Sequence, residues 1–446
     1  MEQEKLFSNE NLKAMSIPLF WEQLLVALVG IADIFIAGFV SEAAVSGVSL
    51  VNAFNSIFVY LFMALASGGA VVISQYIGRR DTAKASAAAT QLLMGAVILS
   101  MAAALLVLLT KISLLELMFG RVEADVMESC VTYLRISAYS YPALAVYNAG
   151  AALYRSFGKT GTTMRLSIVA NIINVVGNCV GVFLLHAGVA GVAWPSLIAR
   201  IFSAAVITYL CFAKQNPVSY LKEQLLSLDW NLQKKILRIA VPNGVESGVF
   251  QLVKVALSSV AALFGTYQIA ANGVAQSIWN MASLVSVAMG PIFITVIGQC
   301  MGAGAFVQAE FYFKKLLKLT LIFGVVWNAL IFGATLIVLS FYSLAEETKQ
   351  LVLWLVLIHN IFNGIAFPYA DPLGKGLRAA GDVNFTTLIS LFTTVGVRLV
   401  LSVLLGVTLN LGVLGIAMAM CLDWVVRGLI FARRRQSGKW KNFKVI

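Results

Sequence analysis

Long apolar stretches alternate with short polar connections along the whole chain. Each stretch reaches or exceeds the roughly 20 residues that an α-helix needs to cross the hydrocarbon core of a bilayer. The pattern therefore predicts twelve transmembrane helices, and the longest stretches predict helices that tilt or extend beyond the bilayer. The predicted spans are 14–39, 47–77, 86–110, 127–154, 162–185, 190–213, 236–263, 270–300, 314–341, 348–374, 384–407 and 412–434.

The twelve stretches form two sets of six, because short motifs recur in the same order half a chain length later. The recurring pairs are Pro18-x-x-x-Glu22 with Pro242-x-x-x-Glu246, Val72-Ile73-x-Gln75-x-x-Gly78 with Val296-Ile297-x-Gln299-x-x-Gly302, Arg155-x-x-Gly158 with Arg378-x-x-Gly381, and Gly188-Val189-x-Gly191 with Gly412-Val413-x-Gly415. We predict an N-terminal half over residues 1–213, a cytoplasmic linker over 214–235, and a C-terminal half with a basic tail over 236–446.

An even number of helices in each half places the start of both halves on the same side of the membrane. The repeat is then parallel, with its pseudo-twofold axis along the membrane normal, as in some secondary transporters. In such transporters the substrate site lies at the interface of the repeats. The repeat therefore predicts an all-helical membrane transporter with its site between the two halves.

Composition agrees with an integral membrane protein and argues against an enzyme. Hydrophobic residues make up 60% of the chain and charged residues 12%, against about 45–50% and about 25% in soluble domains. The five cysteines form no C-x-x-C pair and the two histidines lie far apart, so neither a disulfide framework nor a metal site is expected. Since the sequence also shows no nucleophile–base set and no phosphate loop, we expect no catalytic residue, cofactor or resident metal.

The distribution of the basic residues that give the net charge of +12 indicates the topology of the chain. Of the 32 lysines and arginines, 25 lie at the N-terminus, in the loops on its side and in the C-terminal tail, 4 lie in the opposite loops, and 3 lie within spans. Because basic residues concentrate on the cytoplasmic side, both termini of this multi-pass protein are predicted to be cytoplasmic. The short loops indicate a bacterial plasma (inner) membrane, and the basic face predicts contact with anionic lipid and none with nucleic acid.

Four motifs in register with twelve spans resemble the MATE family, the multidrug and toxic compound extrusion transporters. The segments that carry the resemblance are 72–81, 155–160, 296–304 and 377–382. The resemblance implies outward export driven by inward H⁺ or Na⁺, with organic cations as the usual cargo. We expect a monomer that exports organic cations, amphipathic drugs or metabolites by alternating access of its two halves. On physical grounds we also expect Gly78 and Gly302 to end their helices with positive φ.

Carboxylates within spans are costly in lipid and mark candidate functional sites. Asp33 is the first candidate, because it lies in an otherwise apolar span and its repeat counterpart is Leu257. The resemblance implies that this aspartate is essential for cation coupling. Glu22 and Glu246 occupy equivalent repeat positions, each four residues after a proline. Glu246 is the second candidate for coupling, and for both glutamates a structural role at an inner gate or helix turn stays open.

Two amides of the fifth span support a site around Asp33. Asn174 and Asn178 are four residues apart, so they share one face of a helix, and amides in lipid need partners. Relatives in the MATE family often carry Asp at the position of Asn178, and some place a Thr hydroxyl near Ser196. With one carboxylate where those relatives have two, we favour H⁺ as the coupling ion; Na⁺ held by neutral oxygens is the alternative.

Polar and aromatic side chains in other spans are candidates for a substrate cavity, since aromatic faces suit flat cations; taken singly, each is also explained by packing or interfacial anchoring. Together with Glu22, the candidates are Asn52, Asn55, Tyr139, Asn148, Lys254, Gln276, Trp279, Asn280 and Asn363.

Three basic residues within spans keep a second hypothesis open. Lys254 would repel cationic cargo unless it is paired, and Arg200 and Arg398 would neutralise buried acids or extend to the interface. The second hypothesis is a flippase or exporter of a specific lipid-linked or anionic metabolite in the same superfamily. Asp423 and Arg427 are four residues apart, which predicts a structural ion pair.

Overall fold

The computed structural model describes residues 5–120, 122–341 and 344–446, and every regular element in these ranges is helical. Arg121, one of the four basic residues predicted for the opposite loops, lies outside them. The described α-helices are α1 (Asn9–Ala37), α2 (Glu42–Gly78), α3 (Thr82–Phe119), α4 (Ala124–Tyr139), α5 (Tyr141–Ser156), α6 (Thr160–Cys179), α7 (Ala190–Cys211), α8 (Trp230–Ala261), α9 (Thr266–Ala282), α10 (Leu284–Gly302), α11 (Phe306–Ser340), α12 (Glu346–Ile365), α13 (Phe367–Ala370), α14 (Pro372–Ala379), α15 (Val383–Phe392), α16 (Val400–Val403) and α17 (Gly412–Gln436). The predicted all-helical class is confirmed.

Three predicted spans, 127–154, 270–300 and 348–374, are interrupted in the structure. Ten of the described helices are long and apolar enough to cross a membrane, and α12 with residues 367–379, bent by 53°, makes an eleventh. The predicted span 127–154 is divided at Ser140 into two 16-residue helices. Pro142 lies in the first turn of the second helix, the position at which a residue without an N–H costs least. The predicted span 270–300 is also divided, at Ser283, where no proline lies in the first turn of the second helix.

The described helices group into two compact units, Glu10–Gly244 and Met1–Asn9 with Val245–Ile446. The segment predicted as a linker packs within the first unit, where the Gln91 side chain donates to the Ser227 carbonyl at 2.7 Å. In the second unit, α8, α9, α12 and α17 enclose an apolar core that includes Trp279 and Trp424. The predicted bounds of the two halves stay a prediction.

The repeated Gly-Val-x-Gly motif combines a turn with a close backbone approach. Gly188 and Gly412 have φ of 59° and 57°, in the left-handed region that glycine adopts readily. A Cβ on Gly191 would lie 2.7 Å from backbone atoms of Gly181, and one on Gly415 would lie 2.5 Å from the backbone of the preceding span. Only glycine therefore allows α7 and α17 to pass so near their neighbours.

The glycines that end α2 and α10 do not adopt positive φ, so that prediction is wrong. Gly78 and Gly302 are the last helical residues, and the left-handed residues lie two positions later, at Arg80 (φ 62°) and Gly304 (φ 69°). The residue after each glycine keeps right-handed helical angles. The reversal of the chain is therefore made only after the last helical turn.

A π-helical segment interrupts the second half where the repeat changes its offset. The offset from Thr163 to Thr386 is one residue shorter than the offset from Gly188 to Gly412. Between these points the second half contains the π segment Thr393–Leu399. A π turn widens the hydrogen bonding from i→i+4 to i→i+5, so it accommodates one inserted residue. By contrast, each half also has a π turn at an equivalent position, Val180–Leu184 in the first half and Leu404–Thr408 in the second.

The substitution Gly191→Ala is expected to destabilise the protein by about 1–3 kcal/mol, the usual cost of overpacking, because the methyl group overlaps the Gly181 backbone. Gly161→Ala is the matched control, since no atom lies within 4 Å of its added methyl. Thermal unfolding of the purified variants in detergent measures the difference. Equal melting temperatures for the two variants would contradict the close approach.

Candidate functional site

Asp33 lies in a chain of polar side chains from α1, α6 and α7. Asn178 Nδ2 donates to Asp33 Oδ1 at 2.6 Å and lies 3.1 Å from Asn174 Oδ1. Asn174 Nδ2 donates to Ser196 Oγ at 2.7 Å, and that hydroxyl donates to the Val192 carbonyl at 3.3 Å. The structure therefore brings Asp33 and the three residues predicted around it into one network, the Asp33 cluster.

Close helix packing positions the Asp33 cluster. A Cβ on Gly177 would lie 2.6 Å from the Pro195 side chain, so the glycine lets α6 and α7 approach at the level of Ser196. Asn174 and Asn178 are both buried, and their separation of one helical turn points both amides the same way. Asp33 itself is half-buried at the open end of the cluster.

The cluster contains one carboxylate and one unused acceptor. Asn178 Oδ1 is buried and makes no hydrogen bond within the described residues. Arg200 acts on Asp33 by electrostatic attraction, although its described hydrogen bond goes to Ser140 Oγ at 2.6 Å. The cluster can therefore take up a proton, or a small cation that prefers oxygen ligands.

Glu22 is engaged in an ion pair at a second level of the same unit. Arg155 Nη2 donates to Glu22 Oε1 at 2.6 Å, and the Tyr147 hydroxyl donates to the same oxygen at 3.2 Å. Thr163 Oγ1 donates to Glu22 Oε2 at 2.8 Å. The Glu22 side chain is only 3% exposed, so the two carboxylate oxygens are satisfied by protein groups. The carboxylate therefore serves to join α1, α5 and α6.

Glu246 repeats this arrangement in the other half. Arg378 Nη2 donates to Glu246 Oε2, and Arg378 Nε lies 3.2 Å from Thr386 Oγ1. Each of these three residues matches a member of the first group at the offset of the repeat, to within one position. The sequence analysis does not predict these partners, because a basic residue at the end of a span is already explained by membrane topology. The nearly constant offset between the two sets of glutamate, arginine and threonine is the sequence signal that indicates a shared contact.

The remaining cavity candidates of the first unit are dispersed. Asn55 is buried and accepts a hydrogen bond from the Tyr141 hydroxyl at 2.6 Å. Asn148 Nδ2 is buried and has no hydrogen-bond partner within the described residues. Asn52 is half-buried, and Tyr139 is exposed. The structure does not gather these four side chains around the Asp33 cluster through any described hydrogen bond.

The candidates of the second unit divide into buried and exposed groups. Trp279 stacks on His359 with ring centroids 4.9 Å apart, and Asn363 accepts from Asn328 at 3.1 Å. Both are buried, whereas Gln276 is half-buried and Asn280 is exposed. Trp279 and Asn363 therefore belong to the core of this unit.

The predicted ion pair of α17 is present. Arg427 Nη2 lies 2.7 and 3.0 Å from the two carboxylate oxygens of Asp423, which is fully buried. Arg427 also donates to the Thr393 and Thr394 hydroxyls at 2.9 and 2.8 Å. The pair therefore fastens α17 to the π segment.

Comparison with known proteins gives matches over nearly the whole chain. The MatE family model matches twice, over residues 18–180 and 242–404, so the two matches start at the repeated prolines, as the sequence repeat predicts. The uncharacterized transporter YisQ of Bacillus subtilis is 25% identical over 98% of this chain and 95% of its own. The probable multidrug resistance protein NorM of Thermotoga maritima is 23% identical over 97% and 93%.

Solved structures support the fold. One described as the outward-facing conformation of a multidrug resistance MATE family transporter of the MOP superfamily has a TM-score of 0.90. The match covers 96% of both chains at 19% identity. At this identity the likeness bears on the fold alone.

The substitution Glu22→Ala is expected to destabilise the protein by about 3–5 kcal/mol, because it leaves the Arg155 guanidinium buried without its counter-charge. The double variant with Arg155→Ala should lose less than the sum of the two single losses. Unfolding titrations of the four proteins measure the coupling. The equivalent cycle at Glu246 and Arg378 serves as the matched comparison, and additive losses in either cycle would show that its ion pair does not stabilise the protein.

Proposed function

The chain belongs to the MatE family of membrane transporters, and from this premise we propose that it is a secondary antiporter that exports organic cations, amphipathic drugs or metabolites. Members of the family are transporters of small molecules and not enzymes. The observation that carries the proposal is the Asp33 cluster, a carboxylate within a span joined to two buried amides and a hydroxyl. Such a group inside a membrane is a candidate for ion coupling.

Proton coupling follows from the donors and acceptors of the cluster. An ionised Asp33 accepts from Asn178 Nδ2, and a protonated Asp33 would gain a donor. The Asn178 Oδ1 atom, which has no partner among the described residues, is an acceptor for that donor after a small rotation of either side chain. Protonation thus changes the contact between α1 and α6 from a charged to a neutral one. We propose that this change favours release of cargo outward, so that proton entry drives export.

The coupling ion is proposed to be H⁺, with Na⁺ as the alternative. Asp33 is a single carboxylate with little positive charge around it, so one proton is enough to neutralise it. Na⁺ would need the oxygens of Asp33, Asn178 and Asn174 as ligands, with no second carboxylate to balance its binding. Glu246 contributes less under this proposal, because Arg378 already neutralises it.

The proposed setting follows from the predicted topology. We propose a monomer in the plasma membrane of a bacterium with both termini cytoplasmic, whose halves 1–213 and 236–446 alternate in access and are joined by 214–235. The excess of basic residues on one side of the predicted spans supports this orientation. Cargo then leaves the cytoplasm as the proton enters it.

The substitution Asp33→Asn is expected to abolish coupled export, because an amide cannot bind and release a proton. The measurement uses purified protein in liposomes loaded with ethidium, with a pH gradient or a Na⁺ gradient imposed separately. Wild type should move ethidium under the pH gradient, and the variant should match protein-free liposomes. Asp125→Asn, which removes an exposed carboxylate of the same unit, is the control. Efflux by Asp33→Asn at the wild-type rate would refute the mechanism.

The substitution Asn178→Asp is expected to shift coupling toward Na⁺. Two carboxylates at hydrogen-bond distance repel each other, and a bound cation relieves that repulsion. The same liposomes should then show ethidium efflux under a Na⁺ gradient. Asn178→Ser, which keeps a neutral polar group, should not gain this response. An unchanged ratio of Na⁺-driven to pH-driven efflux would show that the second carboxylate does not decide the ion.

A further inference from the structure

Arg398 is a buried cation whose guanidinium is not satisfied by the part of the chain that the structure describes. The residue is 7% exposed, and its Nε and Nη1 atoms are buried and make no hydrogen bond within the described residues. The guanidinium lies 5.0 Å from the centre of the Phe250 ring. Cation–π attraction offsets only part of the cost of removing a guanidinium from water. Two nitrogens of the guanidinium, with three N–H groups between them, therefore have no described protein acceptor.

The carboxylates of the same unit are engaged elsewhere. Asp423 attracts Arg398 from beyond ion-pair distance, but both of its oxygens are held by Arg427. The other described ion pairs of the unit are Glu246–Arg378, Glu310–Lys314, Glu310–Arg435, Asp371–Lys375 and Asp382–Arg434. Of the carboxylates described in this unit, only Glu346 and Glu347, in the first turn of α12, are outside these pairs. Arg398 therefore has no counter-charge of its own among the described residues.

A second cation lies on the same side. Lys254 is one helical turn after Phe250 on α8, so both side chains share a face of that helix. Lys254 is exposed, makes no described ion pair, and is repelled by the charge of Arg398. One positive charge thus lies over the Phe250 ring and a second follows one turn along α8, both without a described counter-charge. We call Lys254, Phe250 and Arg398 the cationic pocket.

The charged side chains of the two halves do not lie at equivalent positions. At the offset that relates Pro18 to Pro242, Asp33 corresponds to Leu257, and Arg398 lies in the π segment where the offset changes, so that its counterpart is Asn174 or Val175. The first half thus holds a carboxylate where the second half holds an apolar side chain, and the second half holds a guanidinium where the first half holds an uncharged side chain. The cationic pocket is therefore not a copy of the Asp33 cluster inherited through the repeat.

We propose that the cationic pocket binds the anionic group of a flat amphiphile, a carboxylate, sulfate or phosphate, with its apolar part against Phe250. A guanidinium matches the oxygens of such groups through paired N–H donors, and Lys254 adds a second charge at the exposed side. The bound anion would supply an acceptor for Nε or Nη1 of Arg398, together with the neighbouring Nη2 of the guanidinium. That the anion is exported cargo rests on the export activity proposed above; that it binds does not. A lipid headgroup offers the same chemistry.

The test is equilibrium binding of tritiated estrone sulfate, a flat and permanently charged anion, to delipidated protein in neutral detergent. Arg398→Gln should weaken binding by about tenfold or more, since a charge-assisted hydrogen bond is lost. Lys254→Gln should weaken it less, and Arg398→Lys should retain part of the affinity. Uncharged estrone should bind all variants equally, and Lys318→Gln, which removes an exposed charge from the same unit, should bind estrone sulfate as wild type does.

Competition identifies the source of the anion. Displacement by phosphatidylglycerol but not by phosphatidylcholine supports a lipid headgroup in the pocket. Absence of displacement, with estrone sulfate moved by the protein in liposomes, supports exported cargo. Equal affinity for estrone sulfate in wild type, Lys254→Gln and either Arg398 variant would overturn the site, as would no binding to wild type. Ethidium efflux in the same preparations reports separately on the proposed export, so a failure of either proposal leaves the other measurable.

Discussion

The buried ion pair between Glu22 and Arg155 is the interaction on which the candidate site depends. It joins α1 to α5, and Thr163 on α6 completes it. Asp33 lies eleven residues further along α1, and Asn174 lies eleven residues further along α6. Eleven residues are about three helical turns, so the contact at Glu22 sets both helices in register for the contact at Asp33. The Asp33 cluster is therefore supported from a distance by groups that never touch it.

The two halves share one packing scaffold and differ in the polar side chains of their spans. The glutamate–arginine–threonine group and the Gly-Val-x-Gly motif occur in both halves with nearly constant spacing, because both maintain helix packing. The polar side chains further along the spans differ, with Asp33 in one half and Arg398 in the other. The residues that pack the helices together are thus the same in the two halves, whereas the polar residues within the spans are not. This division agrees with a transporter whose halves share a fold and differ in the ligands they favour.

Much of the architecture could be predicted from the sequence, and the reasons for the exceptions are physical. Hydrophobic length predicts spans because lipid demands it, and the repeat predicts two equivalent halves. The helix breaks at Ser140 and Ser283 are not predicted, because the apolar pattern of the sequence continues through both interruptions. The Asp33 cluster could be predicted because its members are rare polar residues in apolar spans. The partners of Glu22 escaped because Arg155 sits at the end of a span, where a basic residue is expected for topology alone.

The π segment Thr393–Leu399 has a consequence for how the two halves could diverge. An extra residue in a regular α-helix turns every later side chain by about 100°, which would move Gly415 and its helix neighbours out of contact. The wide turn confines the insertion, so the packing motif downstream keeps its place. Because the π segment absorbs the inserted residue, a residue within it, such as Arg398, can change without disturbing the packing of the helices that follow. One half of a duplicated gene could thereby acquire a new polarity while its packing stayed that of the ancestor.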